Sequence, residues 1–390
     1  LRKERGKMSP SPRKARIDKL LTEMARHETD AVIISCPQNR FYLSGFKAED
    51  VSLNESSGML FISKDCLVLI TDSRYTEAAK EEAPDFDIFQ YDQNNSLEQI
   101  VAKICREKNI KNLGIESEFL SLAKFIKLNE TLRKEGASTN LTPADEFVGH
   151  LRAVKDEEEV SLIKESLRLA EEVMEEVYDF LKPGVTEREV AWFIEKRLRE
   201  KGADGVSFPP IVAGGFRAAL PHAIPTERPV REGEPIIIDM GARLNGYCSD
   251  ITRTVFLGYI PDLWDRIYEI VLKAQRLAYE AAQPGITAEK LDGIARQFIE
   301  QAGYGAYFGH GLGHGVGIAI HEPPSIRKTG SMALEPGMVF TIEPGIYLPG
   351  EGGVRLENMV VMKNDGAELL NRLPVNSPMK KIDGRKNAGI

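Results

Sequence analysis

Four carboxylates and a group of histidines in the second half of the chain are of the types and spacings that a shared metal site needs. Asp239 ends the apolar run GEPIIID and Glu343 ends GMVFTIE, while Asp250 lies in YCSDITRTVF and Glu357 in VRLENMVVM. IIIDMGA and YCSDITRTVF flank Arg-Leu-Asn-Gly, and Asn-Gly is a strong hairpin-turn signal. In a two-residue hairpin, Asp239 and Asp250 fall on one face. They are directly opposite if Leu244-Asn245 forms the loop and diagonal if Asn245-Gly246 does. Glu343 and Glu357 are centred on Gly350 in LPGEGG, so a loop of odd length places them opposite each other. Like charges at such spacing inside apolar strands repel and lose hydration unless something neutralises them, and a cation is the simplest agent.

The chain has six histidines, and His222, His310, His314 and His321 share the region of the acids. In GHGLGHGVGIAIHE the glycines at 309, 311, 313, 315 and 317 oppose a helix, so the segment is expected to be extended or looped, with His310 and His314 on one side. The pattern is neither a phosphate-binding GxxxxGK[ST] loop nor a zincin helix, and no GxSxG or Cys/His signature marks a covalent nucleophile. Four carboxylates with one imidazole make an oxygen-rich set that favours Mn, Co, Fe or Zn over a thiolate-held structural zinc.

These residues must be positioned by a larger frame. The chain has 390 residues, 42% hydrophobic and 28% charged, which predicts two domains with ample core. A net charge of −8 argues against nucleic acid as the main partner, and no apolar stretch is long enough to span a bilayer. Cys36, Cys66, Cys105 and Cys248 show no CxxC pair, which predicts reduced thiols and a cytoplasmic location. The basic residues 1–16 lack an apolar signal-peptide core and read as a disordered tail, with Met8 a candidate start.

From 17 to 149, apolar runs such as AVIIS, MLFI and CLVLI alternate with helical patterns such as LEQIVAKICREKNI, predicting an α/β domain. A long amphipathic helix follows, with Val160, Ile163, Leu167, Ala170, Val173 and Val177 at helical spacing. The second domain, 150–372, contains a weak internal repeat. PGVTEREVAWFIEKRLREKG (183–202) aligns without gaps to PGITAEKLDGIARQFIEQAG (284–303), and Gly233 and Gly337 each stand six residues before an acid. Two related halves, each a helix pair followed by strands, are therefore expected, with 373–390 as a C-terminal tail.

DMGARLNGYCSDITRT, GHGLGHGVG, TIEPG and VRLEN, in this order, resemble the pita-bread metallopeptidase family, which contains methionine aminopeptidase, aminopeptidase P and prolidase. NRFYLSGF and LITDSRYTEAA resemble the creatinase-type N-terminal domain of its proline-directed branch. The resemblance implies an α/β N-terminal domain and an α+β pita-bread catalytic domain with a pseudo-two-fold duplication. It implies two divalent cations per subunit, Mn foremost, with Co, Zn or Fe as alternatives. Asp239 would chelate one, His314 and Glu343 the other, and Asp250 and Glu357 would bridge both. Glu343 would act as general base, His222 and His321 would orient the scissile carbonyl or leaving group, His310 would be a further pocket histidine, and Arg355 would steady the carboxylates.

The implied reaction is cleavage of Xaa-Pro bonds in proline-containing peptides by a water or hydroxide held between two metals, of aminopeptidase P or prolidase type. A homodimer is expected, with no nucleic acid and no membrane partner. The alternatives are a metal-free creatinase-like hydrolase, or a non-catalytic peptide- or protein-binding relative of the same fold.

Overall fold

Apolar runs of four to six residues become central strands wherever helices cover both faces of a sheet. In the computed structural model, which describes residues 12–50, 52, 55–375 and 379–380, the chain divides into two compact units after Arg152. The first unit runs α1 (Pro12–Arg26), β1 (Ala31–Ile34), α2 (Pro37–Ser44), β2 (Met59–Ser63), β3 (Cys66–Thr71), α3 (Thr76–Glu82), β4 (Asp87–Gln90), α4 (Leu97–Glu107), β5 (Asn112–Ile115), α5 (Leu122–Lys134), β6 (Asn140–Pro143) and α6 (Asp145–Ala153). Its six-stranded sheet has the order β4-β3-β2-β1-β5-β6. The central β1 and β2 are buried along their whole length, while the edge strands β4 and β6 are largely exposed, which explains why the middle strands read as unbroken hydrophobic runs.

Three boundaries differ from expectation. Residues 12–16, expected in the tail, belong to α1, because Pro12 suits a first helical turn and Ile17, Leu20 and Met24 form a buried stripe. Residues 1–11, Met8 included, lie outside the described residues. The division falls at 152–153 rather than 149–150, since α6 continues to Ala153 before Val154 bridges to Met338. At the far end, residues 373–375 are not a free tail. Leu373 O accepts from Arg253 Nη2 at 2.6 Å and Val375 O from the Tyr268 hydroxyl. The buried Arg253 guanidinium requires such acceptors.

The second unit opens with α7 (Glu157–Phe180), started by a reciprocal capping box between Asp156 and Glu159. It continues with α8 (Glu187–Glu200), β7 (Gly205–Val206), β8 (Ile211–Gly214), β9 (Ile236–Met240), β10 (Ala242–Leu244), β11 (Tyr247–Cys248), β12 (Ile251–Leu257), α9 (Asp262–Ala281) and α10 (Ala288–Gln301). There follow β13 (Gly313–Gly315), β14 (Glu322–Ile326), β15 (Val339–Ile342), β16 (Gly345–Leu348), β17 (Gly352–Arg355), β18 (Asn358–Lys363), β19 (Gly366–Leu369) and β20 (Met379–Lys380). The repeat is visible in the geometry. Thr186 caps α8 and Thr287 caps α10, each after a glycine at positive φ, Gly184 at +93° and Gly285 at +88°.

One sheet has the order β20-β12-β9-β8 and another β14-β13-β15-β18-β19. In the first hairpin, Asp239 pairs with Thr252 and Leu244 with Tyr247, and the turn is Asn245-Gly246 at φ +52° and +81°. This is the second of the two loops left open by the sequence, so Asp250 lies diagonal to Asp239 on the same face. In the other hairpin Ile342 pairs with Asn358 and Gly345 with Arg355. One register therefore runs on both sides of the acids and sets Glu343 across from Glu357, as expected.

Candidate metal centre

Glycine brings His314 into the space between the hairpins. A Cβ on Gly313 would collide with Thr341 O, so β13 reaches β15 only because residue 313 has no side chain. His314 N then donates to Thr341 Oγ1 at 3.1 Å. The imidazole Nδ1 lies 3.1 Å from Gly315 O. A carbonyl only accepts, so Nδ1 carries the proton and Nε2 presents a bare lone pair.

That lone pair faces Asp250 Oδ2 at 3.5 Å and Glu343 Oε1 at 3.4 Å. A lone pair among ionised carboxylate oxygens is repulsive unless a proton or a metal cation stands between them. The ring does not supply one, since burial, with His321 adding to it, pushes its pKa down to about 4. Among the described residues, one donor atom each of Asp250, His314 and Glu357 lies within 4.8 Å of the others. Asp239 is not one of these three, and its Oδ2 accepts from Arg355 Nη2 at 2.6 Å. Its Oδ1 is buried without a hydrogen-bond partner. The bare imidazole nitrogen, the orphaned oxygen and the clustered acids together fit divalent cations.

The acids themselves resist ionisation. Burial raises Asp250 well above the ordinary carboxylate value, and the charges of Glu357, Asp239 and Glu343 add to it. Burial and then Glu357 raise Glu343 in the same way, and Glu357 is pushed up to about 8 by burial and then Asp239. Burial alone would lower the Arg355 guanidinium, but Tyr347, Asp239 and Glu343 outweigh it and hold it charged.

A chain of donors leads away from Asp239. Arg355 Nη1 donates to the Tyr347 hydroxyl at 3.0 Å, which lies 2.8 Å from His310 Nε2, while His310 Nδ1 lies 2.7 Å from Gly311 O. With Nδ1 donating to that carbonyl, Nε2 accepts from Tyr347. The ring is neutral, its pKa lowered to about 4 by burial and then by Arg355. Arg355 Nη1 also donates to Pro221 O, beside His222.

Every residue nominated from the sequence, His222, Asp239, Asp250, His310, His314, His321, Glu343, Arg355 and Glu357, lines one cavity of about 480 Å³. The His314 and His321 rings meet edge to face at 4.3 Å. Apolar side chains, Phe208, Ile224 and Ile320 among them, complete the wall. Sequence reasoning missed Thr252, Thr341 and Tyr347. Thr252 Oγ1 donates to Glu357 Oε2 at 2.7 Å, and Thr341 Oγ1 to Glu343 Oε1 at 3.3 Å. Both threonines stand two residues from an acid on the same strand path, so strand alternation was an available signal. Nothing local marked Tyr347.

A model of metallopeptidase family M24 matches residues 161–364, and one of the creatinase/prolidase N-terminal domain matches 16–154. The chain is 36% identical over 359 residues to an Xaa-Pro dipeptidase of Pyrococcus furiosus, spanning 92% of this chain and 98% of the relative. Among solved structures it is similar to an Xaa-Pro dipeptidase from Bacillus anthracis, at 35% identity and TM-score 0.87, covering 94% of this chain and 99% of that one. It is likewise similar to an X-Pro aminopeptidase from Thermotoga maritima, at 37% identity and TM-score 0.82, covering 92% and 100%. The paired hairpins with their four acids and His314 beside them, the matching family models and these whole-length likenesses agree, and the chain belongs to metallopeptidase family M24, with a creatinase/prolidase N-terminal domain.

Proposed function

We propose that the chain hydrolyses Xaa-Pro bonds as a two-cation peptidase of prolidase or aminopeptidase P type. The observation that carries this reading is the His314 Nε2 lone pair held against Asp250 and Glu343 in a cluster with Glu357, a set of nitrogen and oxygen donors that suits a divalent cation. The metal-free and non-catalytic alternatives leave that contact and the orphaned Asp239 oxygen without a function. Whole-length relatives bearing Xaa-Pro dipeptidase and X-Pro aminopeptidase names support the proline preference.

Asp239, Asp250, His314, Glu343 and Glu357 would hold two divalent cations, Mn foremost, with Co, Zn or Fe as alternatives. Such a pair lowers the pKa of a bound water and polarises the scissile carbonyl. Glu343 accepts the proton of the attacking water and returns it to the departing proline nitrogen. His222 and His321, at the cavity wall, orient the carbonyl and the leaving group, and Arg355 holds one oxygen of Asp239 and so aims its carboxylate. His310 holds its neutral form against Tyr347 as part of the substrate wall.

The experiment is to strip metal from the purified protein and assay Gly-Pro, Ala-Pro and longer Xaa-Pro-Yaa peptides before and after restoring Mn, Co or Zn. Hydrolysis should vanish and return. Activity that survives both stripping and Glu343→Ala would refute the reading. A homodimer is also proposed, and sedimentation at micromolar concentration tests it. The four cysteines are free thiols, which supports a cytoplasmic location. Among the described residues no helix is long and apolar enough to cross a membrane.

A further inference from the structure

Two buried acid–arginine pairs lie outside the cavity, each with its acid on a repeat helix, and both grip a segment that carries a cavity histidine. In the first half Glu187 opens α8, and its side chain is fully buried. The carboxylate accepts from Gly214 N at 3.0 Å, Thr226 N at 2.9 Å, Thr226 Oγ1 at 2.8 Å and Arg217 Nε at 3.0 Å. Arg217 Nη2 then donates to Ile224 O at 2.6 Å. The segment held at both ends, 214–226, bears His222.

In the second half Asp292, on the first turns of α10, has a side chain 1% exposed and receives both Arg296 Nε at 2.7 Å and Nη2 at 2.8 Å. Arg296 also donates to Phe308 O at 2.8 Å and to His310 O at 2.6 Å. Asp292 Oδ1 accepts from Leu312 N at 3.0 Å, and Leu312 O in turn accepts from Glu343 N at 2.8 Å. A single hydrogen-bonded path thus joins α10 to His310 and to the backbone of Glu343.

A buried ion pair contributes little net stability, because desolvation offsets the attraction. A planar guanidinium held by a carboxylate, with donors left over for carbonyls, is instead a rigid template for the backbone it touches. None of the four side chains lines the cavity. We propose that these pairs are positioning residues: Glu187 with Arg217 sets His222, and Asp292 with Arg296 sets His310 and, through Leu312, Glu343. The proposal rests on the peptidase reading for its kinetic consequence but not for its structural one.

The test uses the full metal-loaded chain with Arg296→Met, Arg217→Met and the charge-keeping Arg296→Lys and Arg217→Lys. The readouts are kcat and KM on Ala-Pro, histidine ring resonances of the zinc-loaded protein, and amide exchange. Arg296→Met should lower kcat about 10- to 100-fold, as expected when reacting groups shift by about an ångström. It should also shift the His310 ring and speed exchange at the Glu343 amide, leaving His222 in place. Arg217→Met should shift His222 and spare the Glu343 amide. The lysine variants should recover part of each effect, and they carry the test alone if a methionine variant does not fold. Variants that lose only thermal stability, with kinetics and resonances unchanged, overturn the proposal, as does an equal disturbance of all cavity histidines by either pair. If the wild-type chain cleaves no Xaa-Pro peptide, the peptidase reading fails, and the resonances and exchange rates decide the positioning claim by themselves.

Discussion

Buried carboxylates occur in both units, and their surroundings separate a structural acid from a functional one. Glu116, in the first unit, accepts from Ser35 N at 2.5 Å, Cys36 N at 2.6 Å, Asn39 Nδ2 at 2.5 Å and Ser35 Oγ at 3.1 Å. Burial raises its pKa, and the hydrogen bonds around it oppose the rise. Asp250 and Glu343 are raised too, but their neighbours Glu357 and Asp239 push in the same direction as burial. A raised carboxylate by itself therefore says little about function. Like charges gathered without enough donors signal a site built for a cation.

The comparison breaks most clearly at the imidazole. His314→Ala should abolish stoichiometric metal uptake and lower kcat/KM by on the order of 10³-fold or more, as read by elemental analysis and Ala-Pro hydrolysis. Wild-type metal content in that variant would contradict the site. Further from the proposed cation site, Tyr347→Phe removes the hydroxyl joining Arg355 to His310. A loss of about 10- to 100-fold in activity or metal affinity is expected, and His310 should titrate differently.

Acidity sharpens the same contrast. In the metal-free fold burial and then Asp239 keep the Glu357 proton up to about pH 8, whereas the unfolded chain releases it near the ordinary 4.5. The folded state therefore binds more protons at this group across that window, so its contribution to the stability of the metal-free protein is full below about pH 4.5 and is lost as pH rises to about 8. Metal binding needs the ionised forms and strengthens over the same range. The difference in melting temperature between loaded and stripped protein should thus widen from pH 5 to pH 8, and a constant gap would argue against buried protonated acids. The smallest kinetic effect belongs to Glu116→Gln. It should cost about 1–3 kcal/mol of stability through mismatched donors, measured by denaturant unfolding, with kcat, KM and metal content unchanged.

Much of the site was legible because its registers are local. The Asn245-Gly246 turn and strand alternation alone put Asp239 and Asp250 on one face, and the centring of Glu343 and Glu357 on Gly350 predicted their pairing. The Pro-Gly-x-Thr starts of α8 and α10 announced the duplication through their caps. Tyr347 was not legible, because its importance arises from contacts with His310 and Arg355 on other elements. The start of α1 was missed because the stripe of Ile17, Leu20 and Met24 needs a surface to bury against, and charge dominates the preceding residues.

Chain order alone determined which residue types reach which strand face, since a two-residue period and a turn type are properties of neighbours. Only the tertiary structure decided that the acids of two hairpins about a hundred residues apart share one cavity with His314, and that Arg355 takes one oxygen of Asp239 and leaves the other bare. Such meetings depend on how sheets and helices pack, and no local pattern encodes a contact whose partners are brought together by the whole core.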